Sequence, residues 1–355
     1  MQNKIELFCI GNAIVDVFAS VDSVLLDEFG ITEPVQHIPR DTARRLLEEL
    51  RGRAAADIVF SSGGAAANVA KIAAMLNTGA AFAGCTGSDD LASVFENDLR
   101  AAGVAPLLVS GEEETGLCFA FDCSGNIRIA ASPGAALEFR TTDVPEDHID
   151  GVKALVLDGY MLDRRPLVQH ILQLASCRGI PIALDTASVF LVRDKTEDIL
   201  HYSRSYPLIV FMNADESIVF YNTITKNAAM DNAGLESAGE REKEIFILKE
   251  ICPALKCITE GGIFPVIVIK LGSRGAVVLA GGNIYHEETV AVIPLNTVGA
   301  GDAFCAAFLS AWIRGKPVQE CAALGNQVAR DILLVPGTKI KAEKLQSYSR
   351  LLNAP

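Results

Sequence analysis

An aspartate follows a run of small residues near the carboxyl-terminal end of the chain, in the segment Asn-Thr-Val-Gly-Ala-Gly-Asp at 296–302. Gly299, Ala300 and Gly301 let the backbone approach a ligand closely, and the free N–H groups of the helix that follows favour a phosphoryl group. A carboxylate would repel that group, so Asp302 makes sense if it accepts the proton of an attacking hydroxyl. We therefore predict an anion hole with Asp302 as the catalytic base. A simple helix cap at Asp302 is the alternative.

Two further groups of residues suit a polyhydroxylated ligand. Gly63 and Gly64 open a helix, and Asn68 lies one turn inside it, where its amide can both donate and accept hydrogen bonds. Asn12 and Asp16 follow the first apolar run, and a carboxylate there can accept hydrogen bonds from two neighbouring hydroxyls. Tight helix packing is the alternative for the glycines. A solvated strand end is the alternative for Asp16.

Polar residues also follow two later apolar runs. Asn213 and Glu216 open a helix, where they either orient metal-bound water near phosphates or only cap that helix. Lys270 and Gly272 end another apolar run, and Gly272 is alternatively a simple turn.

The elements that position these residues alternate between strand and helix. Short apolar runs, typical of buried parallel strands, are separated by helical patterns. The predicted strands are Leu7 to Ile10, Ala81 to Gly84, Ala154 to Leu157, Ile180 to Leu184, Leu208 to Met212 and Val266 to Ile269. The predicted helices include residues 64–76, 91–102 and 165–176. This alternation predicts an α/β fold with a doubly wound, mainly parallel sheet, and ligands in such sheets bind beyond the carboxyl ends of the strands.

Two stretches, about residues 12–60 and 115–139, break this alternation. Their period and turn signals predict antiparallel strands outside the parallel sheet. We expect them to form a small β-strand lid over one edge of the main unit, although an extension of the sheet fits the pattern equally well. No linker or repeat divides the chain, so residues 1–355 are predicted to form a single domain.

The composition argues against several classes of protein. A net charge of −13 without any Lys/Arg-rich run disfavours partners such as nucleic acid and anionic membranes. The nine scattered cysteines include no Cys-x-x-Cys pair, so neither a disulfide framework nor a zinc site is indicated. Lys4, Glu6 and Asp16 interrupt the amino-terminal region, which predicts no signal peptide and a cytoplasmic protein. The Gly-x-Gly-x-x-Gly motif of dehydrogenases and the P-loop motif are both missing where they would be expected.

In this order, the motifs resemble those of the PfkB family, the ribokinase-like carbohydrate kinases. Residues 63–68, 84–89 and 102–104 are similar to its amino-terminal signature, residues 296–304 to its carboxyl-terminal signature, and Asn213-x-x-Glu216 to its Asn-x-x-Glu motif. The resemblance implies a ribokinase-like fold with a β-strand lid. It also implies phosphoryl transfer from ATP, with Mg²⁺, to a hydroxyl of a small molecule.

The resemblance also implies roles at the matching positions. Asp302 would be the base, beside an anion hole formed by Gly299, Ala300 and Gly301. The residues that would hold the acceptor are Asn12, Asp16, Gly63, Gly64 and Asn68. The residues that would bind ATP are Asn213, Glu216, Lys270, Gly272 and Asn326, with Glu216 serving the metal indirectly, through water.

Within the family, the spacing of Gly11-Asn12 and Asp16 and the turn at 125–128 are most similar to the adenosine kinase branch, which implies a nucleoside such as adenosine as acceptor. A sugar kinase acting on ribose, fructose or a related sugar is one alternative, and a non-catalytic nucleotide-binding sensor is another. The family signature usually begins with Asp, so Asn296 removes a charge and leaves dependence on a monovalent cation open. Monomer and homodimer are both left open.

Overall fold

The structure, a computed structural model, describes residues 4–53, 58–123, 125–226, 234, 237–295, 298–335, 340 and 342–353 of the 355-residue chain. The strands are β1 Leu7–Ile10, β2 Ile14–Ser20, β3 Val35–His37, β4 Val59–Gly63, β5 Ala80–Thr86, β6 Ala105–Ser110, β7 Thr115–Cys123, β8 Asn126–Gly134, β9 Ala154–Asp158, β10 Ile182–Asp185, β11 Leu208–Asn213, β12 Val266–Lys270, β13 Ala276–Ala280 and β14 Asn283–Glu287.

The described helices connect these strands. They are α1 Ser23–Glu28, α2 Arg40–Arg53, α3 Ala65–Met75, α4 Asp90–Ala101, α5 Arg165–Cys177, α6 Val189–Ser203, α7 Ala214–Thr225, α8 Glu240–Phe246, α9 Cys252–Glu260, α10 Ala300–Trp312, α11 Val318–Leu333 and α12 Ala342–Asn353. A π-turn at Ile247–Ile251 joins α8 to α9. None of the described helices is both long and apolar enough to cross a membrane.

Nine strands form the main sheet in the order β14-β13-β12-β11-β10-β9-β1-β5-β6. The strands from β12 to β6 run parallel, and β13 and β14 add an antiparallel hairpin at one edge. All the predicted parallel strands are confirmed, with shifts of one or two residues at their ends. They were visible in the sequence because a strand buried on both faces is a continuous apolar run.

Helices cover both faces of this sheet, as a doubly wound fold requires. Leu7 and Cys9 of β1 belong to a core that includes α3, α10 and α11. Phe8 and Ile10, which point to the opposite face, belong to a second core that includes α5, α6 and α7. The predicted fold class is therefore confirmed.

A second sheet has five strands in the order β3-β8-β7-β2-β4 and lies within the stretches predicted to form a lid. The expectation of purely antiparallel strands was wrong, because β2 pairs with β7, and β3 with β8, in parallel. Only strands joined by a tight turn must run antiparallel, as β7 and β8 do, whereas β2 and β7 are joined by a long connection.

Helix α2 was missed inside the first of these stretches. Its buried residues Ala43, Leu46, Leu47 and Leu50 follow the i, i+3, i+4, i+7 spacing of an amphipathic helix. This helical spacing was present in the sequence, but the turn residues on either side led to the prediction of strands there. The single domain over residues 1–355 and the movement of the second sheet as a lid stay predictions.

Helix α10 is anchored in the core by an aromatic cluster, which gives a test of the fold. Phe308 is fully buried, with its ring 5.4 Å from that of Phe211 and 6.1 Å from that of Phe304. We expect Phe308→Ala to lower the free energy of unfolding by about 3–5 kcal/mol. Phe190→Ala is the control, because Phe190 is 75% exposed and its removal should change stability by less than about 0.5 kcal/mol. Urea denaturation measures both, and equal effects would contradict the packing described.

Candidate active site

The carboxyl ends of four adjacent parallel strands bring polar residues to one edge of the main sheet. Asp158 ends β9 opposite Asp185 at the end of β10, and Asn213 ends β11 opposite Lys270 at the end of β12. Asn12 follows β1 at the same edge. The candidate site therefore lies where a parallel sheet places its ligands.

Asp302 is not a helix cap, because α10 begins at Ala300 after Gly299, whose φ of 83° is left-handed. The alternative of a simple cap is wrong. Asn68 on α3 donates a hydrogen bond of 2.9 Å from Nδ2 to Oδ2 of Asp302. No hydrogen bond to Oδ1 of Asp302 exists within the described part of the chain, so this oxygen can accept a proton from a ligand.

The surroundings of Asp302 make its carboxylate more basic than usual. Burial and, after it, the charge of Asp185 raise the pKa of Asp302, the hydrogen bond from Asn68 and the charge of Lys270 lower it, and the resulting pKa is about 6. A pKa close to neutrality suits a general base, because the group is mostly ionised at pH 7 yet holds a proton well.

Asp16 lies inside β2 of the second sheet, so the expectation that it ends the first strand was wrong. A Cβ on Gly63 would lie 2.2 Å from Cγ of Asp16, which explains why the carboxyl requires glycine there. Gly64 adopts a left-handed φ of 89°, and a Cβ there would meet the Asn12 carbonyl oxygen at 2.5 Å. The structure thus brings these four acceptor candidates together.

Burial also governs the charge of Asp16. Burial is the largest cause of its raised pKa, Lys71 acts in the opposite direction, the charge of Asp302 adds to the rise, and the resulting pKa is about 7. The charge of Asp302 contributes to the raised pKa of Asp16, so the two carboxylates lie near each other. Cys118 on β7 lies directly opposite Asp16 on β2 and was not singled out from the sequence, where nothing distinguished it from the other cysteines.

On the other side of Asp302, Lys270 lies against the predicted anion hole. Its Nζ is 2.7 Å from Oδ2 of Asp185, which also accepts a 3.1 Å hydrogen bond from Sγ of Cys305. A Cβ on Gly301 would lie 3.3 Å from the same Nζ. Burial alone would lower the pKa of Lys270, but the Asp185 carboxylate outweighs it and raises this pKa, so the ammonium stays charged.

Asn213 and Glu216 form a reciprocal cap on α7. The Asn213 side chain accepts from the Glu216 N–H at 2.9 Å, and Oε2 of Glu216 accepts from the Asn213 N–H at 2.8 Å. Asn213 Nδ2 and the hydroxyl of Thr186 also donate to this buried carboxylate. The capping alternative is thus confirmed, and an indirect metal role for Glu216 stays a prediction.

Two predicted nucleotide residues lie near the antiparallel edge of the main sheet. Gly272 has a left-handed φ of 59° in a turn after β12, and Asn326 on α11 donates a 2.9 Å hydrogen bond from Nδ2 to the Glu287 carbonyl. Asn296 lies outside the described residues, so dependence on a monovalent cation stays open.

A cavity of about 420 Å³ lies between the second sheet and the segment that leads to the anion hole. Phe18 and Val59 line one side, and Leu295 and Val298 line the other. Phe18 is two residues beyond Asp16 and shares its face of β2, so the cavity lies on the same face of the second sheet as Asp16.

Comparison with known proteins agrees with this geometry. The model of the pfkB family carbohydrate kinases matches residues 29–345. Adenosine kinase from Saccharomyces cerevisiae is 26% identical over 361 residues, which cover 97% of this chain and 99% of the relative. Adenosine kinase from Schizophyllum commune is 23% identical, with 97% and 99% covered. The crystal structure of adenosine kinase from Sinorhizobium meliloti is 26% identical with a TM-score of 0.79, and 98% of this chain and 99% of that chain are covered.

The doubly wound sheet and the family match together identify the class of the protein as a phosphotransferase. The chain belongs to the PfkB family of carbohydrate kinases, because the family model matches most of its length. It is accordingly an ATP-dependent kinase with an alcohol group as acceptor.

The two raised carboxyl pKa values predict the pH dependence of this kinase. A carboxylate must be deprotonated to accept a proton or to bind hydroxyls, so activity should fall as the pH drops through about 7 for Asp16 and about 6 for Asp302. We expect kcat/KM to rise from pH 5 to about 7.5 and then level off. In Asp16→Asn the remaining rise should move towards pH 6. A flat profile between pH 5 and 8 would contradict the assignment.

Proposed function

We propose that the protein transfers the γ-phosphoryl group of ATP to a hydroxyl of a nucleoside, with adenosine as the first candidate. The observation that carries this proposal is the hydrogen bond from Asn68 to Asp302, which links the base to the residues around Asp16. Curated adenosine kinases that are 23% and 26% identical to this chain support the same acceptor class.

The base acts on the acceptor hydroxyl. Asn68 holds one carboxylate oxygen of Asp302, and Oδ1 is left to take the hydroxyl proton. As the proton moves to Asp302, the acceptor oxygen forms a bond to the γ-phosphorus, the bond from that phosphorus to the bridging oxygen breaks, and ADP leaves.

The anion hole and Lys270 act on the transferred group. The N–H groups at the start of α10 face the negative charge that spreads over the equatorial oxygens, and the dipole of the helix favours that charge. The Lys270 ammonium lies against Gly301 and neutralises further charge. Its partner Asp185 keeps the ammonium protonated and in place before the nucleotide binds.

The residues around Glu216 fit a hydrated magnesium ion better than a directly bound one. Three hydrogen bonds already occupy the Glu216 carboxylate. No group of three or more acidic, His or Cys side chains able to hold a metal occurs among the described residues. Magnesium in kinases keeps several waters and is bound largely by the nucleotide phosphates, so Glu216 would contact it through water and the metal would neutralise phosphate charge.

Asp16 and the adjacent glycines suit a vicinal diol. The Asp16 carboxylate can accept hydrogen bonds from two hydroxyls, and Gly63 leaves room for the carboxyl. A ribose ring offers such a diol. Closure of the second sheet, which carries Asp16, would exclude water from the reacting atoms and limit hydrolysis of ATP.

A panel of acceptors tests the nucleoside proposal. We expect ADP release from ATP–Mg²⁺ with adenosine and related nucleosides, and much less with free ribose or fructose. 2′-Deoxyadenosine is a matched control, because it lacks one hydroxyl of the diol and should have a KM raised by about 10-fold or more. Turnover with a free sugar and none with nucleosides would overturn the acceptor while leaving the kinase intact. Nucleotide binding without turnover on any acceptor would favour a sensor.

Replacing the base tests the mechanism. We expect Asp302→Asn to lower kcat by about 10²–10⁴-fold, because the proton acceptor is lost. Affinity for ATP should change little or increase, since a negative charge near the phosphates is removed. Stability should not fall: the pKa of Asp302 is raised in the folded state, so its ionised form opposes folding above that pKa. Near-normal turnover by this variant would rule out Asp302 as the base.

A further inference from the structure

Arg164 contacts one of the predicted acceptor residues and has no role in the mechanism above. It follows the 3₁₀ turn Gly159–Asp163 that leads from β9 to α5. Its Nη2 donates a 2.6 Å hydrogen bond to Oδ1 of Asn12, and its Nη1 donates a 2.8 Å hydrogen bond to the carbonyl of Ala136. Burial lowers the pKa of Arg164, which nevertheless stays charged because a guanidinium is deprotonated only at very high pH.

The contact fixes the orientation of the Asn12 amide. A guanidinium has only donors, so only the oxygen of the amide can face it. The Nδ2 group must then point away from Arg164. Within the described part of the chain, Nδ2 of Asn12 makes no hydrogen bond. It is also not one of the fully buried side-chain atoms without a partner, so it is accessible. The free end of the amide is therefore a donor that can reach a ligand.

Asn12 lies at the start of the acceptor cleft. Its carbonyl oxygen approaches Gly64, and the residue as a whole is only 6% exposed, so the amide has little freedom to turn. The guanidinium is itself tightly placed, since Nε of Arg164 is buried and Nη2 also contacts the sulfur of Met161. A charged donor at 2.6 Å holds the amide oxygen more strongly than a neutral partner would.

We propose that Arg164 is a positioning residue that selects the acceptor through Asn12. The inference rests on the proposed function of this cleft as the acceptor site. Because Arg164 occupies the amide oxygen, Asn12 presents only a donor, and the acceptor must offer a hydrogen-bond-accepting atom there. A ring nitrogen or an ether oxygen of a nucleoside meets this need, and a group that can only donate does not.

A double-mutant cycle separates this role from a merely structural one. We expect Arg164→Met to raise the KM for adenosine by about 10- to 100-fold, the usual effect of losing a hydrogen bond to a charged group. The kcat and the KM for ATP should change less than about threefold. Asn12→Ala should raise the KM for adenosine similarly, and the double variant should be no worse than Asn12→Ala, since Arg164 acts through that amide.

Two further variants sharpen the result. Arg165→Met removes the neighbouring guanidinium, which is 68% exposed and pairs with Asp198, and should leave all kinetic constants unchanged. Arg164→Lys keeps a charged donor and should give an intermediate KM. Melting temperatures of all variants show whether each has folded.

The outcomes distinguish this inference from the proposed function. The positioning role would be overturned if the KM of the double variant rose by the product of the two single increases. A normal KM for adenosine in a folded Arg164→Met variant would overturn it as well. If the wild-type protein phosphorylates a sugar and no nucleoside, the same cycle is measured with that sugar, because the coupling belongs to the two side chains. Turnover of no acceptor at all would overturn the proposed function and this inference with it.

Discussion

The site depends on how several carboxylates are kept near one another with little water between them. Asp158, Asp185 and Asp302 lie at one edge of the sheet, and each raises the pKa of a neighbour. Lys270 sets Asp185 apart from the other two, because its ammonium lies 2.7 Å from Asp185 and leaves that carboxyl with a lowered pKa, whereas those of Asp158 and Asp302 are raised. Asp185 thus stays ionised as the partner of Lys270, while Asp302 keeps the higher pKa that its proposed role as a base needs. When the surroundings give two carboxyls different pKa values, the two carboxyls can take different roles.

The fold supplies this arrangement through its topology. Parallel strands end at the same edge, so Asp185 and Lys270 meet although they are far apart in the sequence. Helix α10 then adds Asp302 and Cys305 from the opposite side, and its aromatic cluster fixes it in the core. Displacing α10 would therefore disturb the Asp185–Lys270 pair, the predicted anion hole and the proposed base together.

The predicted acceptor residues are one carboxyl and two amides, and the residues around them fix their positions. Asp16 belongs to the second sheet, whereas Asn12 and Asn68 belong to the main unit. An acceptor held by all three would join the two sheets, which couples its binding to the position of the second sheet. Arg164 orients the Asn12 amide, because a guanidinium has only donors and holds the amide oxygen. A ligand therefore meets the NH₂ end of that amide.

The sequence by itself determined the parallel strands, the helix after each glycine motif, and the places of Asp302 and Asn68 in those helices and of Lys270 at a strand end, because buried strands and helix starts leave local patterns. It did not determine that Asp16 lies in a second sheet, that β2 runs parallel to β7, or that Arg164 reaches Asn12. Those facts depend on contacts between residues about 100 to 150 positions apart, such as Arg164 with Asn12, and no local period records them. The pKa values of Asp16 and Asp302 were likewise decided by the tertiary structure, since burial and neighbouring charges set them.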